Sequence, residues 1–147
     1  MTFDDFAVGQ VARFGRYEVT REEVLAFAAA YDPQPFHLDD AAAAASPIFG
    51  RLAASGWHTA AMTMRMMVDH WQATGGGTSM GSPGLDELRW LRPVYPGDVL
   101  RVEAEVIAVK PSASKPDRGA VTSRTTTFNQ DDQPVLSFVA TSFFARR

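Results

Sequence analysis

Apolar and polar positions change period along the chain, so that a helical first half gives way to a strand-rich second half. Thr20-Arg21-Glu22-Glu23 carries the capping-box pattern, in which a threonine and a glutamate three residues on satisfy free N–H groups at a helix start. Val24, Phe27, Ala28 and Tyr31 follow at helical spacing, and Pro33 disfavours helical backbone at Asp32, so a helix is predicted to end there. After the Pro-Gln-Pro turn, residues 38–45 predict a short second helix, with Asp39 and Asp40 near its positive end. Ser46-Pro47 and Gly50 then mark a connecting loop. Residues 57–71 predict a long helix with Trp57, Ala60, Ala61, Met64, Val68 and Trp71 on one face. Met62, Met66 and Met67 extend its apolar surface around most of the circumference, the pattern of a helix enclosed by the rest of the fold.

Beyond Gly75-Gly76-Gly77 the period becomes two. Leu100, Val102, Ala104, Val106 and Ala108 alternate with Arg101, Glu103 and Glu105, as in a strand with one wet face. Residues 119–129 and 134–144 have strand composition, joined by a hairpin loop over 129–133. Tyr95-Pro96-Gly97-Asp98 places proline and glycine as a type II turn requires, which makes residues 85–94 the strand leading into it. Residues 110–119, with two prolines, predict a long hairpin loop. The order is an α+β fold: a short strand, small helices, one long apolar helix, then a meander of about four strands, best packed as an antiparallel sheet wrapped around that helix.

Length and composition narrow the possibilities. The 147 residues suit a single domain, 1–147, and no repeat or linker divides them. A net charge of −3 gives no general attraction to nucleic acid or an anionic membrane, so neither is expected as a partner. The absence of cysteine removes disulfides, thiolate zinc sites and cysteine nucleophiles, and fits a reducing compartment. The first residues are acidic where an export signal would be positive, which points to a cytoplasmic protein. The long helix is interrupted by Arg65 and Asp69 and falls short of the roughly 20 apolar residues a bilayer needs. The triple glycine lacks the Lys-Ser/Thr of a phosphate-binding loop, and His58 and His70 lack the spacing of a metal-binding helical pair. These histidines read as structural or surface residues, and no metal or cofactor is expected.

One segment could carry chemistry. Asp32 and His37 flank a stretch with two prolines, which fix φ and reduce the entropy lost in holding a carboxylate and an imidazole together. Such a pair can share a water, one group accepting its proton while the other orients it. Spacing alone is weak evidence, because a capping aspartate and a structural histidine are the more frequent uses of these residues.

The stretch Tyr31-Asp32-Pro33-Gln34-Pro35-Phe36-His37-Leu38-Asp39 closely resembles the hydratase motif of the MaoC-like dehydratase family, which includes R-specific enoyl-CoA hydratases. That motif usually reads Gly-Asp-x-Asn-Pro-Leu/Ile/Val-His. Asp32, Pro35 and His37 match, whereas Tyr31, Gln34 and Phe36 depart from it around the reactive pair. Leu52-Ala53-Ala54-Ser55-Gly56-Trp57 stands where the family usually has Ala-His-Gly, with Gly56 matching and Ser55 in place of the histidine. Trp90-Leu91-Arg92-Pro93-Val94-Tyr95-Pro96-Gly97-Asp98-Val99-Leu100 is similar to the Phe-x-x-Pro-Val-x-x-Gly-Asp-x-Leu block found across hot-dog proteins.

The resemblance implies a hot-dog fold and an enzyme that adds water reversibly to a trans-2-enoyl thioester of coenzyme A or acyl carrier protein. It implies Asp32 and His37 as the acid-base pair, the Gly56 N–H as holder of the thioester oxygen, and a homodimer or higher oligomer. Tyr31, Gln34, Phe36, Ser55 and Trp57 are the residues expected to shape the substrate pocket, although serine at a helix start more often serves as a cap. Thr63 and Met64 occupy the region where some family enzymes carry an active-site serine, and no role is carried onto them. Arg89, Arg92, Arg101, Lys110, Lys115 and Arg118 are candidates for the carrier's phosphates, against a plain solvated face. A hot-dog thioesterase and a noncatalytic acyl-binding subunit are the competing functions.

Overall fold

The structure, a computed structural model, describes residues 1–147. Its first long strand, β1 (Val11–Glu18), leads into α1 (Arg21–Tyr31). Thr20 caps α1 by accepting the Glu23 N–H at 3.2 Å. The reciprocal half of the expected capping box is absent, because the Glu23 carboxylate accepts the Tyr17 hydroxyl at 2.6 Å instead. That bond, with burial, pushes the Tyr17 pKa up to about 12.

The helix expected over residues 38–45 forms over 40–45, and an unexpected turn of helix precedes it. A one-turn helix, α2 (Pro35–Leu38), begins on proline, and α3 (Asp40–Ala45) follows at once. Asp39 makes the break. Its N–H closes α2 onto the Pro35 carbonyl, while its carboxylate accepts the Ala42 N–H at 2.9 Å and starts α3. His37 therefore sits on a one-turn helix whose C-terminal end is held by Asp39.

The long helix, α4 (Gly56–Ala73), buries His58, Thr59, Met62, Thr63 and Met66. The face expected to be internal is the open one: Trp57 is 59% exposed, Met64 49%, Ala61 is exposed, and Val68 and Trp71 are only partly covered. Threonines can take the inner face because the Thr63 hydroxyl donates to the Thr59 carbonyl at 2.9 Å and pairs with the Thr127 hydroxyl at 2.7 Å. The sheet covers α4 on one side, so the helix is not enclosed all round. No helix is long and apolar enough to cross a membrane.

β2 (Leu85–Trp90), β3 (Val99–Pro111), β4 (Arg118–Phe128) and β5 (Pro134–Ala145) complete one antiparallel sheet in the order β1-β3-β4-β5-β2. Packed on α4, this is the hot-dog architecture. Leu100, Val102, Val135, Leu136 and Phe138 from the sheet meet Met62 and Met66 in the main core. A bulge between Val106 and Ala108 leaves Ala108 exposed, against the expected alternation. The expected loop over 110–119 is shorter, since β3 runs to Pro111 and β4 starts at Arg118. The turn before β3 forms as expected, with the Asp98 N–H on the Tyr95 carbonyl at 3.0 Å and Gly97 at φ 94°. β2 stops at Trp90 rather than Val94. The chain then leaves β5, and the Val94 carbonyl accepts the Ala54 N–H at 2.8 Å, fixing the segment that precedes α4.

Candidate active site

That pinned segment meets α2. His37 is 3% exposed, and its Nδ1 lies 2.7 Å from the Ala53 carbonyl. A carbonyl only accepts, so Nδ1 carries the hydrogen and Nε2 of the neutral ring is an acceptor. Nε2 stands 3.4 Å from Asp32 Oδ2. The Asp32 carboxylate is held from two sides: Gln34 Nε2 donates to Oδ1 at 2.6 Å, and Ser55 Oγ donates to Oδ2 at 2.7 Å. Burial pushes the Asp32 pKa up, but the Gln34 and Ser55 donors together with the nearby His37 outweigh it, and the net shift is downward. Asp32 is an ionised, oriented carboxylate at neutral pH.

Ser55 occupies the N-cap position of α4 and makes no capping hydrogen bond. A serine cap contributes about 1 kcal/mol, so turning its hydroxyl to Asp32 forgoes helix stability. The Gly56 and Trp57 N–H groups head α4, where no carbonyl lies one turn back inside the helix to accept them. A Cβ on Gly56 would lie 2.5 Å from the Trp90 indole nitrogen, so only glycine permits this approach. Trp57 and Trp90 meet edge to face at 5.0 Å. Around them opens a cleft of about 380 Å³ lined by Asp32, His37, Gly56, Trp57, Trp90 and Arg92, with Ile48 and Phe49 on its apolar wall. An ionised carboxylate, an imidazole nitrogen and a helix's positive end therefore face one space, a combination suited to moving a proton to or from water beside a polarised carbonyl.

Phe36 packs on Phe49 at 4.9 Å and edge-on to His37 at 4.6 Å, supporting the imidazole without lining the cleft. Gln34 is exposed and reaches back to Asp32. Tyr31, 77% exposed against Phe27, lies outside the cleft. Of the six basic residues considered for carrier phosphates, only Arg92 reaches the cleft, while Arg101 pairs with Glu103 and Asp132, and Arg118 with Asp117. His58 is buried and stacked on Phe27, and His70 is stacked on Phe14. No group of three or more His, Asp or Glu side chains is placed to hold a metal ion. Trp90 is a cleft residue that no site motif singles out, and its one signal in the sequence is a tryptophan where the hot-dog block usually has phenylalanine.

A MaoC like domain matches residues 5–129. A MaoC-like dehydratase from Rhodospirillum rubrum superposes with a TM-score of 0.89 at 44% identity, covering 100% of this chain and 98% of that one. The R-hydratase PhaJ1 from Pseudomonas aeruginosa superposes with a TM-score of 0.72 at 28% identity, covering 99% and 90% respectively. A mesaconyl-CoA hydratase from Cereibacter sphaeroides is 46% identical over 56 residues, which is 38% of this chain and 16% of that protein.

Proposed function

Because the chain belongs to the MaoC-like domain family, we propose that it is a hydro-lyase adding water reversibly to a trans-2-enoyl thioester of coenzyme A or acyl carrier protein. The observation that carries this reading is the convergence of Asp32, His37 Nε2 and the Gly56 end of α4 on one cleft. In the hydration direction, a water bound between Asp32 and His37 loses a proton to Asp32 as its oxygen bonds to the β-carbon. Electron density moves through the α-carbon onto the thioester oxygen, where the Gly56 N–H and the positive end of α4 stabilise it. The pair then returns the proton to the α-carbon, with His37 assisting, and the thioester bond stays intact. Dehydration runs the same steps in reverse.

The acyl group packs against Ile48, Phe49, Trp57 and Trp90, and Arg92 faces the carrier's phosphates. The exposed Trp57, Ala61 and Met64 on α4, with the partly covered Val68 beside them, suit a second copy of the chain, giving a homodimer. A thioesterase with its carboxylate on the central helix fits less well. α4 offers only Asp69, which is exposed and paired with Arg65 at 2.7 Å. Incubation with a panel of enoyl-CoAs tests the proposal: enoyl absorbance is lost while free thiol stays at background. Thiol release would favour the thioesterase, and binding without turnover the noncatalytic subunit.

A further inference from the structure

We infer that Ser55 is a positioning residue for the hydration reaction, its hydroxyl fixing the Asp32 carboxylate in the orientation that takes a proton from water. Three observations carry this beyond the usual role of a serine at a helix start. The residue is fully buried, at 0% exposure, so its hydroxyl serves the interior and not solvent. It makes no capping bond to α4 although it stands at the cap position. Its single recorded side-chain partner is Asp32 Oδ2, at 2.7 Å across 23 residues of sequence.

The geometry explains why a hydroxyl suits this position. Gln34 holds Oδ1 and Ser55 holds Oδ2, so the carboxylate plane is fixed from both ends. Each oxygen keeps further acceptor capacity, and on Oδ2 that capacity lies beside His37 Nε2 at 3.4 Å. Gln34 is exposed and rotates at little cost, whereas Ser55 is enclosed and held by the backbone that bonds to Val94. The same backbone carries the Ala53 carbonyl that sets the His37 tautomer. Residues 53–56 thus orient the base, the imidazole and the oxyanion donor together. With its hydroxyl turned to Asp32, Ser55 also leaves the Trp57 N–H uncapped beside the free Gly56 N–H.

This assignment rests on the hydratase reading, and the test separates the two. Wild type, Ser55→Ala and Ser55→Thr are compared by the pH dependence of kcat/KM on an enoyl-CoA, by carboxyl-carbon NMR titration of Asp32, and by thermal melting. Removing a hydrogen-bond donor to the ionised form makes Asp32 easier to protonate. Ser55→Ala is expected to move the Asp32 titration and the acid limb of kcat/KM together to higher pH. Its kcat at neutral pH falls about tenfold, a loss of orientation, since Asp32 is ionised in both proteins there. KM changes little, melting falls by about 2–4 °C for the lost donor to the ionised Asp32, and Ser55→Thr, which retains the hydroxyl, recovers most of both losses. An unmoved Asp32 titration and acid limb in folded Ser55→Ala would overturn the role of Ser55. A wild-type protein that turns over no enoyl-CoA would overturn the hydratase reading, while the NMR titration still reads the Ser55–Asp32 contact.

Discussion

The two ends of α4 each border a cavity, and the contrast between them shows what sets the candidate site apart from a packing space. At the N-terminal end, the cleft of about 380 Å³ gathers Asp32, His37, Gly56 and Arg92. At the C-terminal end, a cavity of about 260 Å³ lies between α4 and the sheet, lined by Phe14, Met67, His70, Trp71 and small residues such as Ala104 and Ala140. Its one imidazole, His70, is stacked on Phe14 at 4.1 Å, and no carboxylate lines the cavity with it. The second space follows from small side chains on the concave face of the sheet. The first is built by polar contacts made across long stretches of sequence: Ser55 to Asp32, His37 to Ala53, and Ala54 to Val94.

The sharpest way to break this contrast is to remove the proposed acid-base pair. Asp32→Asn or His37→Gln is expected to lower kcat by about 10²–10⁴-fold in a steady-state hydration assay, the usual share of a general acid or base. Gly56→Ala comes next. Its Cβ displaces the Trp90 indole and obstructs the carbonyl's approach to the N–H, lowering kcat/KM by about 10²-fold, and Trp90→Leu in the same chain should return part of that loss. At the other end of the helix, Ala140→Val partly fills the cavity. Turnover of a short enoyl-CoA should change less than about twofold, while melting rises by about 2–4 °C if the added methyl groups contribute about 1 kcal/mol.

The smallest expected effect concerns the other buried histidine. Burial lowers the His58 pKa, against a weaker raising effect of Glu23, and its Nδ1 has no partner. A folded-state value below the unfolded 6.5 means that the unfolded chain binds the extra proton first. His58 therefore costs no protonation energy above pH 6.5, and stability falls as pH drops below that value toward the folded pKa. Replacement by Phe should flatten the melting temperature between pH 7 and pH 5.5 relative to wild type.

Local signals made most of the fold legible. Alternation revealed β3 until the bulge near Ile107, and Thr20 marked the start of α1. Proline, glycine and aspartate placed the turn at residues 95–98. The inner face of α4 was not legible, because Thr59 and Thr63 look polar until Thr127 arrives from a distant strand to bond one of them. The break at Asp39 was hidden since one residue ends α2 and begins α3. In the site, Asp32, His37 and Gly56 stood out through a resemblance in short motifs. The grip of Ser55 on Asp32 could not, because it depends on how β2 gives way to the 91–94 segment and where that segment pins residue 54.

The central claim is that Asp32 activates water for addition to an enoyl thioester. Its most direct measurement follows enoyl absorbance and free thiol in parallel for wild type and Asp32→Asn with the same enoyl-CoA. The account predicts rapid loss of absorbance without thiol release in wild type, and a rate about 10²–10⁴-fold lower in folded Asp32→Asn. Loss of absorbance at the wild-type rate in Asp32→Asn, or thiol release in step with turnover, would contradict it.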